Sequence, residues 1–174
     1  ALSAFYERIS TPVLTNLSID FGDMITYDVY PNPLPDLFAG QQVLVVGRYR
    51  DSGDTTITLR GEVNGEAQTL TFRDQAFAES GGLQALPRLW ASRKIGYLLN
   101  QVRLQGPDPE TIAQIVRLSV RYGIITEYTS YLVTEALPLS ASAQEKMAEE
   151  AYQDAQAPAP SSGQGAVERS AQEG

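Results

Sequence analysis

Residues 42–72, QVLVVGRYRDSGDTTITLRGEVNGEAQTLTF, decide the fold class. Their pattern repeats every two residues, as on a pleated strand. Asn64-Gly65 is the strongest short hairpin signal, because both residues tolerate the positive φ of a tight turn. Leu70 and Phe72 alternate with Thr69 and Thr71 on the return strand. Asp51-Ser-Gly-Asp54 marks another turn. Val43–Val46 is a continuous apolar stretch, which predicts a strand buried on both faces. Upstream, Val13, Leu14, Leu17, Ile19 and Phe21 form one further run. Ile25, Tyr27, Val29 and Tyr30 form another, stopped by the PNPLPD segment. About five short strands joined by turns predict an antiparallel β-sandwich or small barrel over residues 11–80.

After residue 80 the period changes. Ala91, Ile95, Leu98, Leu99 and Val102 follow one face of a helix over 85–104, with Trp90, Arg93, Lys94, Tyr97 and Gln101 opposite. Gly106-Pro107 ends it. Asp108 is an N-cap, Pro109 suits the first helical position and Gly123 is a C-cap, so a second helix runs between them. The short connection predicts an antiparallel helical hairpin. Residues 124–134 are β-branched and aromatic, and close the 81–135 region as an extended segment. Ser142 with Glu145 reads as a capping box for a helix within 136–156. Residues 157–174 are a low-complexity, linker-like tail. Residues 1–10 carry Leu2, Phe5, Tyr6 and Ile9 at helical spacing, and Pro12 stops that helix. The expected class is therefore α+β: a sandwich followed by a helical hairpin, with an N-terminal helix and a tail attached.

Composition narrows the chemistry. The chain has 174 residues, a net charge of −8, no His and no Cys. Such a chain lacks the thiolates and imidazoles that usually hold zinc, copper or haem. A nucleophile activated by His is impossible. The acidic balance argues against a nucleic-acid partner, and no apolar run approaches a membrane span. No signal peptide is evident, and no cofactor is expected. Charge is blocked along the chain: −6 over residues 1–87, +4 over 88–121 and −6 over 122–174. The basic helical region is thus the place to seek a protein partner.

Candidate sites each have a structural reading beside the functional one. Asp20 with Asp23, and Asp51 with Asp54, sit at turns without the spacing of a calcium loop. Asn16-Leu17-Ser18 is a glycosylation sequon inside a strand. Glu127 and Glu135 lie eight residues apart with no sign of a cleft. Gly81-Gly82 lacks the Lys-Ser or Lys-Thr of a phosphate loop. The only lysines, Lys94 and Lys146, fall on helices. Trp90, Arg93, Lys94 and Tyr97 form an aromatic and basic stripe suited to packing, or to a protein partner. Tyr27, Tyr30 and Tyr49 would be the aromatic row of a carbohydrate-binding sandwich.

Several segments together resemble one family. Phe5–Phe21, FYERISTPVLTNLSIDF, looks like the end of a von Willebrand factor A domain running into a following sandwich. Val29–Arg50, Leu86–Leu99 and Tyr122–Val133 resemble the region beyond that domain in inter-α-trypsin inhibitor heavy chains and their bacterial relatives. Those proteins pair a vault/inter-α-trypsin (VIT) domain with a von Willebrand A domain. The resemblance implies a non-catalytic structural or adhesion module of a secreted or cell-surface parent, contacting the preceding A domain or a protein partner. The metal site of that domain uses an Asp-x-Ser-x-Ser motif, which this chain lacks, so no metal residue is implied here. Asp108-Pro109 is followed by Glu110 rather than His, so the linkage chemistry of the heavy chains is not implied either. A start within a helix leaves a processed accessory fragment as the alternative.

Overall fold

A computed structural model of the chain describes residues 12–129 and 140–156. The N-terminal helix expected over 1–10, the tail over 157–174 and Glu135 lie outside the described residues. Among the described residues, six strands and three helices follow in order: β1 Pro12–Asp20, β2 Thr26–Tyr30, β3 Leu37–Phe38, β4 Val46–Tyr49, β5 Gly53–Val63, β6 Glu66–Phe77, α1 Leu86–Gln105, α2 Pro109–Tyr122 and α3 Ala141–Gln156. The protein is mixed α and β. It divides into two compact units, one through Tyr97 and one from Leu98 onward.

In the first unit an antiparallel sheet has the order β3-β1-β5-β6, and β2 pairs with β4 in a separate ribbon. The β5–β6 hairpin turns at Asn64 (φ 53°) and Gly65 (φ 83°), the left-handed pair that the sequence predicts there. Its register brings Ile57 opposite Phe72 and Leu59 opposite Leu70, while Ile19 of β1 lies on the far side of Leu59. Alternation sends Arg60 to the other face, where it pairs with Asp20 at 3.6 Å. Gly61 is required by close approach. A Cβ there would stand 2.9 Å from Leu14 Cγ and 3.0 Å from the Thr15 carbonyl oxygen.

The continuous stretch Val43–Val46 is not a strand buried on both faces. β4 starts only at Val46, and Leu44 is 55% exposed. Val46 pairs with Tyr30, the last residue of β2. Pro31 follows and has no N–H to donate, so residues 43–45 have no ribbon to extend.

In the second unit, α2 carries the caps read from the sequence. Asp108 accepts a bond from Thr111 N at 2.8 Å, Pro109 opens the helix, and Gly123 closes it in the left-handed region. Its buried stripe is Ile112, Ile115, Val116 and Ser119. Ile112 and Val116 form a core cluster with Ala148 and Ala151 of α3, joined by Val102 from the end of α1. The helical packing is thus built between α2 and α3, a partner that a connection-length argument could not foresee. The extended reading of 124–134 is corrected for its described part: residues 127–129 form a turn. Thr129 N donates to the Thr126 carbonyl, and the Thr126 and Thr129 hydroxyls bond at 3.0 Å. This local hydroxyl network satisfies the backbone that a ladder would otherwise have to pair. The cap of α3 is Ser140 rather than Ser142. The Ser140 hydroxyl accepts from Ala143 N at 3.2 Å, which leaves Ser142 inside the first turn.

Candidate functional site

The aromatic and basic stripe of α1 meets the β2–β4 ribbon within the first unit. Trp90 is 7% exposed, and its indole Nε1 donates to the Asp28 carbonyl at 3.0 Å. Lys94 Nζ lies 2.7 Å from Asp28 Oδ2 and 5.5 Å from the Trp90 ring. The Tyr97 ring stands 5.3 Å from the ring of Tyr30, tilted by 47°. Trp90, Lys94 and Tyr97 are spaced for one helix face, which is why a single strand segment can receive all three. Arg93 is exposed.

Asp28 is the receiving residue, and reading the sequence missed it. It sits at φ 51°, where the β2–β4 register shifts between Tyr27 and Tyr30. That left-handed turn aims its carbonyl at Trp90 while its carboxylate meets Lys94. The signal available was an acidic residue interrupting the apolar run from Ile25 to Tyr30. The Tyr30 hydroxyl donates to Asp28 Oδ1 at 3.3 Å. Burial, followed by the Asp28 charge, pushes the Tyr30 phenol well above its ordinary range. From β4, the Arg48 guanidinium lies 5.1 Å from the Trp90 ring and 5.4 Å from the Tyr27 ring. Arg50 approaches Tyr27 from 5.8 Å. The cluster is a lock between helix and ribbon that includes the Lys94–Asp28 ion pair, the indole hydrogen bond, the Tyr30–Tyr97 ring contact and the stacking of Arg48 on Trp90.

The three tyrosines of the carbohydrate reading do not form one exposed row. Tyr30 is 5% exposed. Tyr27 pairs with Arg48, so Tyr49, the next residue along β4, points to the opposite face. There its hydroxyl donates to the Ala78 carbonyl at 2.6 Å and its ring meets Phe77 edge-on at 4.8 Å.

The remaining candidates are placed as follows. Asp23 and Asp54 line a polar hollow of about 230 Å³, together with Asp74, which the sequence reading did not single out. Among the described residues no group of three acidic side chains is disposed to hold a metal ion. Asp20 accepts from Gly22 N at 2.9 Å, as a turn former does. Asn16 is exposed at a bulge of β1, with φ 51°. Among the described residues no helix is long and apolar enough to cross a membrane.

The other surface with functional character is β6. Among the described residues it is the edge of its sheet, 12 residues long, and exposed up to Phe77. Leu70 and Phe72 are 50% and 48% exposed and lie on one face with Ile57 and Leu59. No proline interrupts it, although a bulge near Asp74 (φ 55°) ends its regular stretch. An exposed edge strand is a template for pairing with another strand.

No family model matches the chain, and no solved structure matches it. Curated proteins do. Inter-alpha-trypsin inhibitor heavy chain H3 of Rattus norvegicus is 30% identical over 146 residues, which is 77% of this chain and 16% of that protein. Heavy chain H4 of Homo sapiens is 28% identical over 146 residues, again 77% of this chain and 16% of the relative. Heavy chain H2 of Sus scrofa is 25% identical over 148 residues, 76% of this chain and 16% of its own length. The chain thus spans about a sixth of the curated relatives it matches, and across most of its own length it is similar to inter-alpha-trypsin inhibitor heavy chains.

Proposed function

We propose that the chain is a non-catalytic protein-interaction module that works through the open edge of β6. The observation that carries this reading is the pairing of a strand that is an edge among the described residues with a half-exposed apolar face at Leu70 and Phe72. Strand addition fits such a surface: main-chain hydrogen bonds supply affinity, and alternate side chains supply selectivity. The lock around Trp90 supports the role by fixing the ribbon to α1, so that the unit presents a rigid surface. The similarity to heavy chains supports placing the chain in a secreted or cell-surface parent, after a von Willebrand A domain of a VIT and von Willebrand A architecture. In that setting the strand that completes β6 comes from a neighbouring domain or a protein partner.

The test is titration of the chain with a synthetic peptide of alternating Val and Thr, followed by amide hydrogen exchange. Binding is expected to protect amides within Glu66–Phe72, and Leu70→Lys with Phe72→Lys is expected to abolish it without unfolding the chain. Protection elsewhere, or binding that survives both lysines, overturns the reading.

A further inference from the structure

A second surface lies in the other unit and does not depend on the β6 reading. A groove of about 460 Å³ opens beside α3. Its floor is apolar, with Val102, Met147 and Ala151, each of which belongs to or packs on the α2–α3 core cluster. Its rim is acidic, with Glu127, Glu150 and Asp154. Positions 147, 150, 151 and 154 recur at three- and four-residue spacing, so α3 alone delivers both the floor and two of the carboxylates. Tyr128 forms a wall, and its phenol is raised, first by burial and then by the charge of Glu127, against a smaller opposing pull from Arg103. No Lys or Arg is among the described residues that line the groove. Lys146 reaches Glu150 at 3.7 Å, but both side chains are mostly in water, where such a pair contributes little.

An apolar floor beside the carboxylates of Glu150 and Asp154 is complementary to a segment that combines an apolar anchor with positive charge. We propose that this groove docks a basic segment of a protein partner, with an apolar side chain seated on Met147 and Ala151 and Lys or Arg side chains meeting Glu150 and Asp154. The volume suits a few side chains of an amphipathic helix laid along the groove.

Two synthetic amphipathic peptides test this, one of Leu and Lys and its counterpart of Leu and Glu. Each is titrated into the isotopically labelled full chain and followed by amide chemical shifts. The Lys peptide is expected to shift residues 147–155 and 126–128, and to bind more weakly as salt rises. Glu150→Gln and Asp154→Asn are each expected to weaken it about two- to fivefold, the range for exposed charge pairs. Asp51→Asn and Glu79→Gln, which remove as much charge from exposed positions of the other unit, are expected to leave it unchanged. Equal binding of the Glu peptide, equal loss in both pairs of variants, or shifts confined to other residues overturns the proposal. Sedimentation that shows self-association relieved by Glu150→Gln and Asp154→Asn would make the occupant a second copy, and overturns it too.

Discussion

Replacing Trp90 with Phe tests the lock between α1 and the ribbon. The change keeps an aromatic ring in the site but removes the indole N–H that donates to the Asp28 carbonyl at 3.0 Å. An intramolecular hydrogen bond of this kind is worth about 1 kcal/mol, and more if its carbonyl is left buried without a partner. The smaller ring also loses part of its contact with Arg48 at 5.1 Å and Lys94 at 5.5 Å, where each cation–π contact contributes about 0.5–1 kcal/mol. Together with the unfilled volume, the expected cost is about 2 kcal/mol, against about 3–5 kcal/mol for Trp90→Ala. Trp90 is the single tryptophan, so its replacement removes the usual fluorescence probe. Urea unfolding is therefore followed by far-ultraviolet circular dichroism, with separate transitions allowed for the two units. A cost below about 0.5 kcal/mol for Trp90→Phe, the level of an ordinary surface change, refutes the lock.

Three further expectations are open to measurement. Gly61→Ala is expected to cost about 1–3 kcal/mol in the same unfolding assay, because its Cβ must displace Leu14 and the Thr15 carbonyl; an unchanged midpoint contradicts the close approach. Asp108 is held below its ordinary range, first by the Thr111 backbone N–H and then by the Thr111 hydroxyl. A depressed carboxyl stabilises above its unfolded pKa and loses that contribution as pH falls through the folded value, so Asp108→Ala should lower the stability of α2 at neutral pH and flatten its acid dependence. Tyr30 has the opposite sign. Its phenol is raised in the folded state, so its contribution is complete below about pH 10 and is lost as pH rises further. Tyr30→Phe should therefore reduce the alkaline fall in midpoint, and an identical fall in both proteins contradicts the buried phenol.

What was legible in the sequence is what depends on a few neighbouring residues. Asp108, Pro109 and Gly123 delimit α2 because cap chemistry is local. Asn64-Gly65 sets the β5–β6 hairpin for the same reason. Ser140 was overlooked as the cap of α3 because Ser142, with Glu145 behind it, offers the same signal two residues later. Val43–Val46 misled because its hydrophobicity described a strand, while the partner that could pair with it ends at Pro31. The stripe Trp90, Lys94 and Tyr97 was visible from helical spacing, but its counterpart was not. Asp28 acts through a left-handed backbone turn within β2, and its two contacts are 62 and 66 residues away. Likewise, alternation placed Leu70 and Phe72 on one face, but only the strand order showed that they lie on the strand that is the edge among the described residues.

The claim that β6 is completed by another protein segment is tested most directly by hydrogen exchange along Glu66–Phe77, compared between the isolated chain and the protein purified from its natural source. The account predicts fast exchange of the amides that do not face β5 in the isolated chain, and strong protection of the same amides in the natural material. Equal and fast exchange in both would show the edge open in the working protein, and would contradict it.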